Sequence, residues 1–144
     1  MSTININWAQ HWHDLVIQRE AQSRSIEGDE AWDPGNFWDL HAQRFHEMTR
    51  RRGQEGPDRL LELIFTHMTA ESTALDVGAG VGRYSIPLAN RAREVVVVEP
   101  SEGMASFLVQ DCREQGITNI RVIPSKWEDA ECEPCDMVLC SHVL

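Results

Sequence analysis

The sequence predicts a doubly wound parallel α/β sheet behind an N-terminal helical cap, and three observations predict it. Short apolar runs alternate with helix-like stretches from about Leu60 onward, one of these runs is the unbroken Val95–Val98, and a glycine-rich turn, Gly78–Gly82, stands between such a run and a helical stretch. A strand with no polar residue in it implies burial on both faces, which is the environment of a parallel sheet covered by helices on either side. With 144 residues, 42% of them hydrophobic and 25% charged, the chain has the length and composition of one ordinary core.

The elements follow in order. Composition divides the chain into a cap over residues 1–55 and a core over residues 56–144, because the first third is rich in Trp, His and polar residues. Within the cap, Trp8–Arg24 reads as a helix, Ser25–Gly35 as a loop, and Trp38, His41, Phe45 and Met48 recur at helical spacing in a second helix ending near Gly53. Pro57 suits a first helical turn, and Leu60, Leu61, Ile64 and Met68 then form an apolar stripe to pack on the sheet.

The core proper begins with a strand at Ala74–Val77, a helix at Arg83–Asn90 and a second strand at Glu94–Val98. Ser101 can cap a helix that turns Met104, Phe107, Leu108 and Cys112 inward, and Gly116 can stop it. Ile120–Ile123 is the third strand, Pro124–Pro134 a polar connection with room for one helical turn, and Met137–Cys140 a fourth strand.

Charge and composition limit the function. A net charge of −10 opposes tight non-specific attachment to a phosphate backbone, which needs clustered Lys and Arg, so nucleic acid is not expected as a substrate. The run Arg50–Arg51–Arg52 is explained by a helix end that complements the macrodipole. No apolar run reaches the roughly 20 residues of a membrane span, and the start lacks a secretion signal, so a cytoplasmic protein with no membrane partner is expected. In that compartment Cys112, Cys132, Cys135 and Cys140 should be reduced thiols.

In a doubly wound sheet, ligands bind beyond the carboxyl ends of the strands where the strand order reverses. The exit of the first strand is that point, and it carries Asp76, Gly78, Ala79, Gly80 and Gly82. Glu99 directly follows the Val95–Val98 run, where its carboxylate can accept hydrogen bonds from both hydroxyls of a ribose. The dinucleotide pattern G-x-G-x-x-G counted from Gly78 puts Arg83 where the third glycine belongs, so that register fails.

Read from Asp76, the same residues run acid-x-Gly-x-Gly-x-Gly, and LDVGAGVGRYSIPLA resembles the first motif of the class I S-adenosylmethionine-dependent methyltransferases. VVVVEPSEGM resembles the second motif, CDMVLCSHVL the fourth-strand motif, and FWDLHAQRF, more loosely, a helix that precedes the core in many members. The resemblance implies a Rossmann-like core that binds S-adenosyl-L-methionine and transfers its methyl group. It implies that Asp76 helps to hold the methionine amino end, that the Gly78–Gly82 backbone lines the cofactor, and that Glu99, followed by Pro100, binds the ribose. Trp127 would pack on the adenine ring and Glu128 would meet its exocyclic amine, with Asp129 the alternative acid at that exit beside Lys126, and Ser141 would lie beside the methionine end. The family fold continues through three further strands, so the resemblance implies a fragment of a longer enzyme.

Other constellations carry less. Cys132, Cys135, Cys140 and His142 are too irregularly spaced to predict a zinc site, so no metal is expected. His11 and His13 point to different faces of a helix. Trp8, Trp12, Trp32, Phe37 and Trp38 suit a core better than an acceptor pocket, and Tyr84 and His142 follow strand exits at the cofactor rim. No residue is identified as a catalytic base. The function read from the sequence is methyl transfer to a small-molecule acceptor. A non-catalytic partner module and, less favoured by Arg83, a nicotinamide- or flavin-dependent oxidoreductase are the alternatives.

Overall fold

The computed structural model describes residues 34–53 and 58–143, together with residues 14, 15, 17 and 18. Its elements are α1 (Pro34–Arg52), α2 (Arg59–Phe65), β1 (Thr73–Val77), α3 (Ser85–Ala89), β2 (Glu94–Val98), α4 (Glu102–Gln115), β3 (Ile120–Ile123), a 3-10 turn (Trp127–Asp129) and β4 (Met137–Cys140). The four strands are parallel in the order β3-β2-β1-β4. The order therefore reverses beside β1, between its neighbours β2 and β4.

Strand alternation sorts the side chains into two layers. Ala74, Val95 and Val97 join Leu88, Leu108 and Cys112 on the face covered by α3 and α4, with Ile64 of α2 in the same cluster. Leu75, Val77 and Val98 face the other way, where Ala130, Cys132 and Cys135 of the connection to β4 pack on them. The unbroken valine run is thus buried from both sides. Cys135 also donates from Sγ to the Met137 carbonyl at 3.2 Å, so these thiols serve as small packing groups. Among the described residues, no three His, Cys, Asp or Glu side chains gather as a metal site. Among the same residues, no helix is long and apolar enough to cross a membrane.

The sequence boundaries hold closely for the strands and less well for the helices. α1 starts at Pro34, inside the stretch read as loop, because proline fits a first helical turn. Residues 25–33, Pro57 and most of the proposed helix Trp8–Arg24 lie outside the described residues. α2 is N-capped by Asp58, whose carboxylate accepts from the N–H groups of Leu60 and Leu61 at 2.9 and 3.4 Å, and it stops at Phe65. Met68 reaches the core from the following turn, while Leu60, placed on the apolar stripe by periodicity, is exposed. α3 is shorter than Arg83–Asn90, because left-handed backbone persists to Gly82 and the next residues are turns.

α1 packs with the sheet in one compact unit, Gly35–Val143. Ala42 meets Val81 and Met104. His46 donates from Nε2 to Asp111 of α4 at 2.9 Å and stacks on Phe107 at 4.5 Å between ring centroids. Burying a polar pair costs its desolvation unless each group finds a partner. His46 and Asp111 meet that condition for each other, so the contact selects one register of α1 on α4.

Candidate functional site

The site grows from the carboxyl ends of β1 and β2. Gly78 extends the ladder one step past β1, its N–H donating to Val98 O at 2.8 Å, and the chain then turns through Gly78, Gly80 and Gly82 at φ of 66°, 57° and 87°. These are left-handed conformations that a Cβ disfavours by roughly 1–2 kcal/mol. Gly82 has a second reason to lack a side chain, since a Cβ there would collide with Leu108 in the core. Around Gly80, by contrast, a Cβ would find nothing within 4 Å. The loop is therefore packed at one end and open in its middle.

Two carboxylates brace it. Asp76 is only 2% exposed and accepts from Ser85 Oγ at 2.6 Å, which ties the end of β1 to the start of α3. Burial pushes its pKa up to about 6, against the Ser85 hydrogen bond and with help from the negative charge of Glu99. Glu99 is 5% exposed. Its Oε2 accepts from Gly80 N–H at 2.7 Å and its Oε1 from Ser101 N–H at 2.9 Å. Burial raises its pKa as well, opposed by those two N–H groups and assisted by the charge of Asp39. A carboxylate offers about four acceptor positions, so two remain after the backbone has taken two.

The far end of the loop is clamped by charge. Arg83 donates to Asp58 at 2.8 Å, so the residue that breaks the dinucleotide pattern joins the loop to the cap of α2. Burial would raise the Asp58 pKa, but the Arg83 guanidinium and the two capping N–H groups hold it below the usual carboxylate range. A cavity of about 300 Å³ opens beside this clamp, lined by Thr49, Arg52, Asp58, Gly82, Arg83 and Pro87 among others. Neither Asp76 nor Glu99 lines it.

The exits of β3 and β4 are built differently. Trp127 is 52% exposed in its 3-10 turn, and Glu128, Asp129, Lys126 and Pro100 are exposed too. After β4, Ser141 Oγ and His142 Nδ1 share a 2.8 Å hydrogen bond, and His142 has φ of 60°. Val143 then folds back onto the glycine loop, where a Cβ on Gly78 would come within 2.6 Å of its methyl carbon. Asp76, Gly78, Ala79, Gly80, Gly82, Glu99 and Ser141 thus belong to one rim, whereas Tyr84 turns away from it into the core. Phe37 stacks on His41, and Trp38 meets Phe45 edge-on along α1. Trp8, His11, Trp12, His13 and Trp32 lie outside the described residues.

Two participants escape sequence reading. Val143 is an ordinary residue whose contact with Gly78 depends on the β4 exit. Asp39, read as part of a helical pattern, accepts from Ser101 Oγ at 2.6 Å and from Gly103 N–H at 2.8 Å. Its only advance signal is an acid on a helix ahead of a capping serine, which is too common to single it out.

Residues 74–144 match a family model described as a methyltransferase domain. The 23S rRNA (uracil(1939)-C(5))-methyltransferase RlmD of Pseudomonas putida is 31% identical over 91 residues, covering 63% of this chain and 18% of its own length. The RlmD of Aeromonas hydrophila is 30% identical over 105 residues, with 72% and 22% covered. This chain thus spans about a fifth of the length of these curated relatives. In fold, it is similar to a candidate S-adenosyl-L-methionine-dependent methyltransferase from Methanococcus maripaludis, with a TM-score of 0.64 at 16% identity, covering 73% of this chain and 50% of that one.

These relatives correct one expectation. Nucleic acid is not expected as a partner on net charge, yet the two RlmD relatives are named for a base in ribosomal RNA. Net charge governs non-specific attraction to phosphates, whereas recognition of one base rests on local contacts. A total of −10 therefore does not exclude an RNA partner.

Proposed function

We propose that the β1–β2 rim of this chain binds S-adenosyl-L-methionine for methyl transfer, as the match of residues 74–144 to a methyltransferase domain and the resemblance to the class I S-adenosylmethionine-dependent methyltransferases imply. The observation that carries the reading is the Gly80–Glu99 contact: a glycine at φ of 57°, open on its Cβ side, donates its N–H to a buried acid that keeps acceptor capacity for two ribose hydroxyls. The residues present fit the cofactor. The loop backbone can be approached at Gly80 without a side chain in the way, Glu99 holds the ribose, and Asp76 secures the loop from behind through Ser85. Trp127 and Glu128 flank the adenine side, and Ser141 the methionine side.

When bound, the cofactor supplies an electrophilic methyl group on a sulfonium that is already a good leaving group. The chain's own task is then orientation. Holding donor and acceptor in line is worth up to about 7–11 kcal/mol of the barrier in well-oriented systems. A loop braced at both ends suits that task, since it does not reorganise at the moment of reaction. The acceptor reading follows the RlmD relatives, whose rRNA uracil favours an RNA base over the small molecule expected from composition.

Calorimetry with S-adenosylhomocysteine tests the cofactor site. Glu99→Ala and Gly80→Val should each weaken binding at least about tenfold, through the loss of the charge-assisted hydrogen bonds to the ribose hydroxyls in the first case and a blocked approach in the second. Unchanged affinity in both variants would sink the assignment.

A further inference from the structure

We propose that Asp39 of α1 is a positioning residue for the ribose end of the cofactor, acting through Ser101 and Glu99; this rests on the cofactor reading above. The chain of contacts is continuous. Asp39 Oδ1 accepts from Ser101 Oγ at 2.6 Å and from Gly103 N–H at 2.8 Å. Ser101 Oγ in turn accepts from Met104 N–H at 3.1 Å, while Ser101 N–H donates to Glu99 Oε1 at 2.9 Å. Glu99 Oε2 then takes Gly80 N–H at 2.7 Å. One carboxylate on the cap helix is thereby linked to the middle of the glycine loop in three steps.

Helix capping alone does not account for this arrangement. Ser101 already caps α4 by accepting from Met104 N–H, and a serine cap needs no second acid behind it. Asp39 adds direction: a hydroxyl that gives its hydrogen to Asp39 must present a lone pair to Met104, so the Ser101 side chain has one orientation. The approach is also close. A Cβ on Gly103 would sit 3.0 Å from Asp39 Oδ1, 3.1 Å from Asp39 Cα and 3.2 Å from Ala42 Cβ, so glycine is what lets α1 reach the start of α4. The Ser101 hydroxyl and Gly103 N–H hold the Asp39 carboxyl below its usual pKa. Its charge bears on Glu99 and makes that acid a more basic acceptor. With Ser101 fixed, the two acceptor positions left on Glu99 are fixed as well, and they are the ones a ribose would use.

A positioning role differs from a merely structural one in what it does to ribose selectivity. Calorimetry on the full chain would compare S-adenosylhomocysteine with its 2′-deoxyribose analogue for the natural protein, Glu99→Ala, Asp39→Asn and Asp39→Ala, with folding of each checked by circular dichroism. The natural protein should prefer the ribose ligand by tenfold or more, and Glu99→Ala should abolish the preference. Asp39→Ala should cut the preference at least threefold, and Asp39→Asn, whose amide oxygen still accepts from Ser101 and Gly103, should keep most of it. Equal weakening of both ligands by Asp39→Ala, or no change in either, overturns the proposal and leaves the cofactor site standing. No binding of either ligand by the natural protein overturns the cofactor site and this proposal together. Should Asp39→Ala not fold, Ser101→Ala removes the hydroxyl that Asp39 holds and keeps the N–H on Glu99. The same fall in preference is then expected, and an unchanged preference overturns the proposal.

Discussion

The exits of β1 and β2 and the exits of β3 and β4 lie along one edge of the same sheet, yet they are built to different standards. At the first pair, Asp76 and Glu99 are buried, each with a protein partner, and the glycine loop between them is packed on Leu108 and clamped by Arg83. At the second pair, Trp127, Glu128 and His142 stand largely in solvent. Groups that already have their partners need little reordering when a ligand arrives, whereas exposed side chains lose rotamer freedom on binding. One half of the rim is therefore preorganised, and the other half has its ordering still to do.

The contrast predicts where substitutions act on stability and where they act on binding. The largest effect belongs to Gly82→Ala, which combines a left-handed backbone with a collision at the fully buried Leu108. Strain and overpacking together should cost about 2–5 kcal/mol in urea unfolding. A loss under about 0.5 kcal/mol would mean that the packed half is as forgiving as the exposed one.

Asp76→Asn should come next, and its effect depends on pH. The natural carboxyl holds a proton more tightly when folded, near pH 6, than when unfolded, near its ordinary 3.8. Its contribution to stability is therefore complete below about pH 4 and is lost as pH rises through 6. A neutral amide has no such dependence. The stability of Asp76→Asn relative to the natural protein should thus improve between pH 4 and pH 7, by up to about 3 kcal/mol for a shift of this size. Thermal unfolding across that range checks it, and a pH-independent difference would count against a buried acid.

Trp127→Ala should give the smallest change in stability, below about 0.5 kcal/mol, because half of the side chain is already in water. Its effect belongs to binding. If the indole packs on adenine, affinity for S-adenosylhomocysteine should fall severalfold with the melting temperature unmoved. A matched loss of stability and affinity would instead place Trp127 with the packed half.

The same contrast explains what was legible beforehand. Strand limits at Glu94–Val98, Ile120–Ile123 and Met137–Cys140 agree between sequence and structure, because apolar runs bounded by polar residues are local signals. Helix limits agree less well. Loop backbone runs up to Gly82, which shortens the start of α3, while Leu60 obeys the helical period and still faces water. Periodicity names a face without saying how much of it a neighbour covers. Net charge had a similar limit: it is a sum over residues, and it could not exclude an RNA acceptor that relatives of this core are named for.

What the sequence by itself determined is the chemistry of the loop: glycines at three positions that turn out left-handed, an acid on each side of them, and Arg83 in place of the glycine a dinucleotide needs. These are properties of residue type and spacing, carried by neighbours in the chain. Only the tertiary structure decided that Glu99 holds Gly80 N–H, that Val143 lies over Gly78, and that Asp39, 62 positions before Ser101, fastens α1 to the start of α4 beside the β2 exit. The reason is physical. Those contacts join segments distant in sequence, and they exist only because a parallel sheet brings the carboxyl ends of β1, β2 and β4 to one edge.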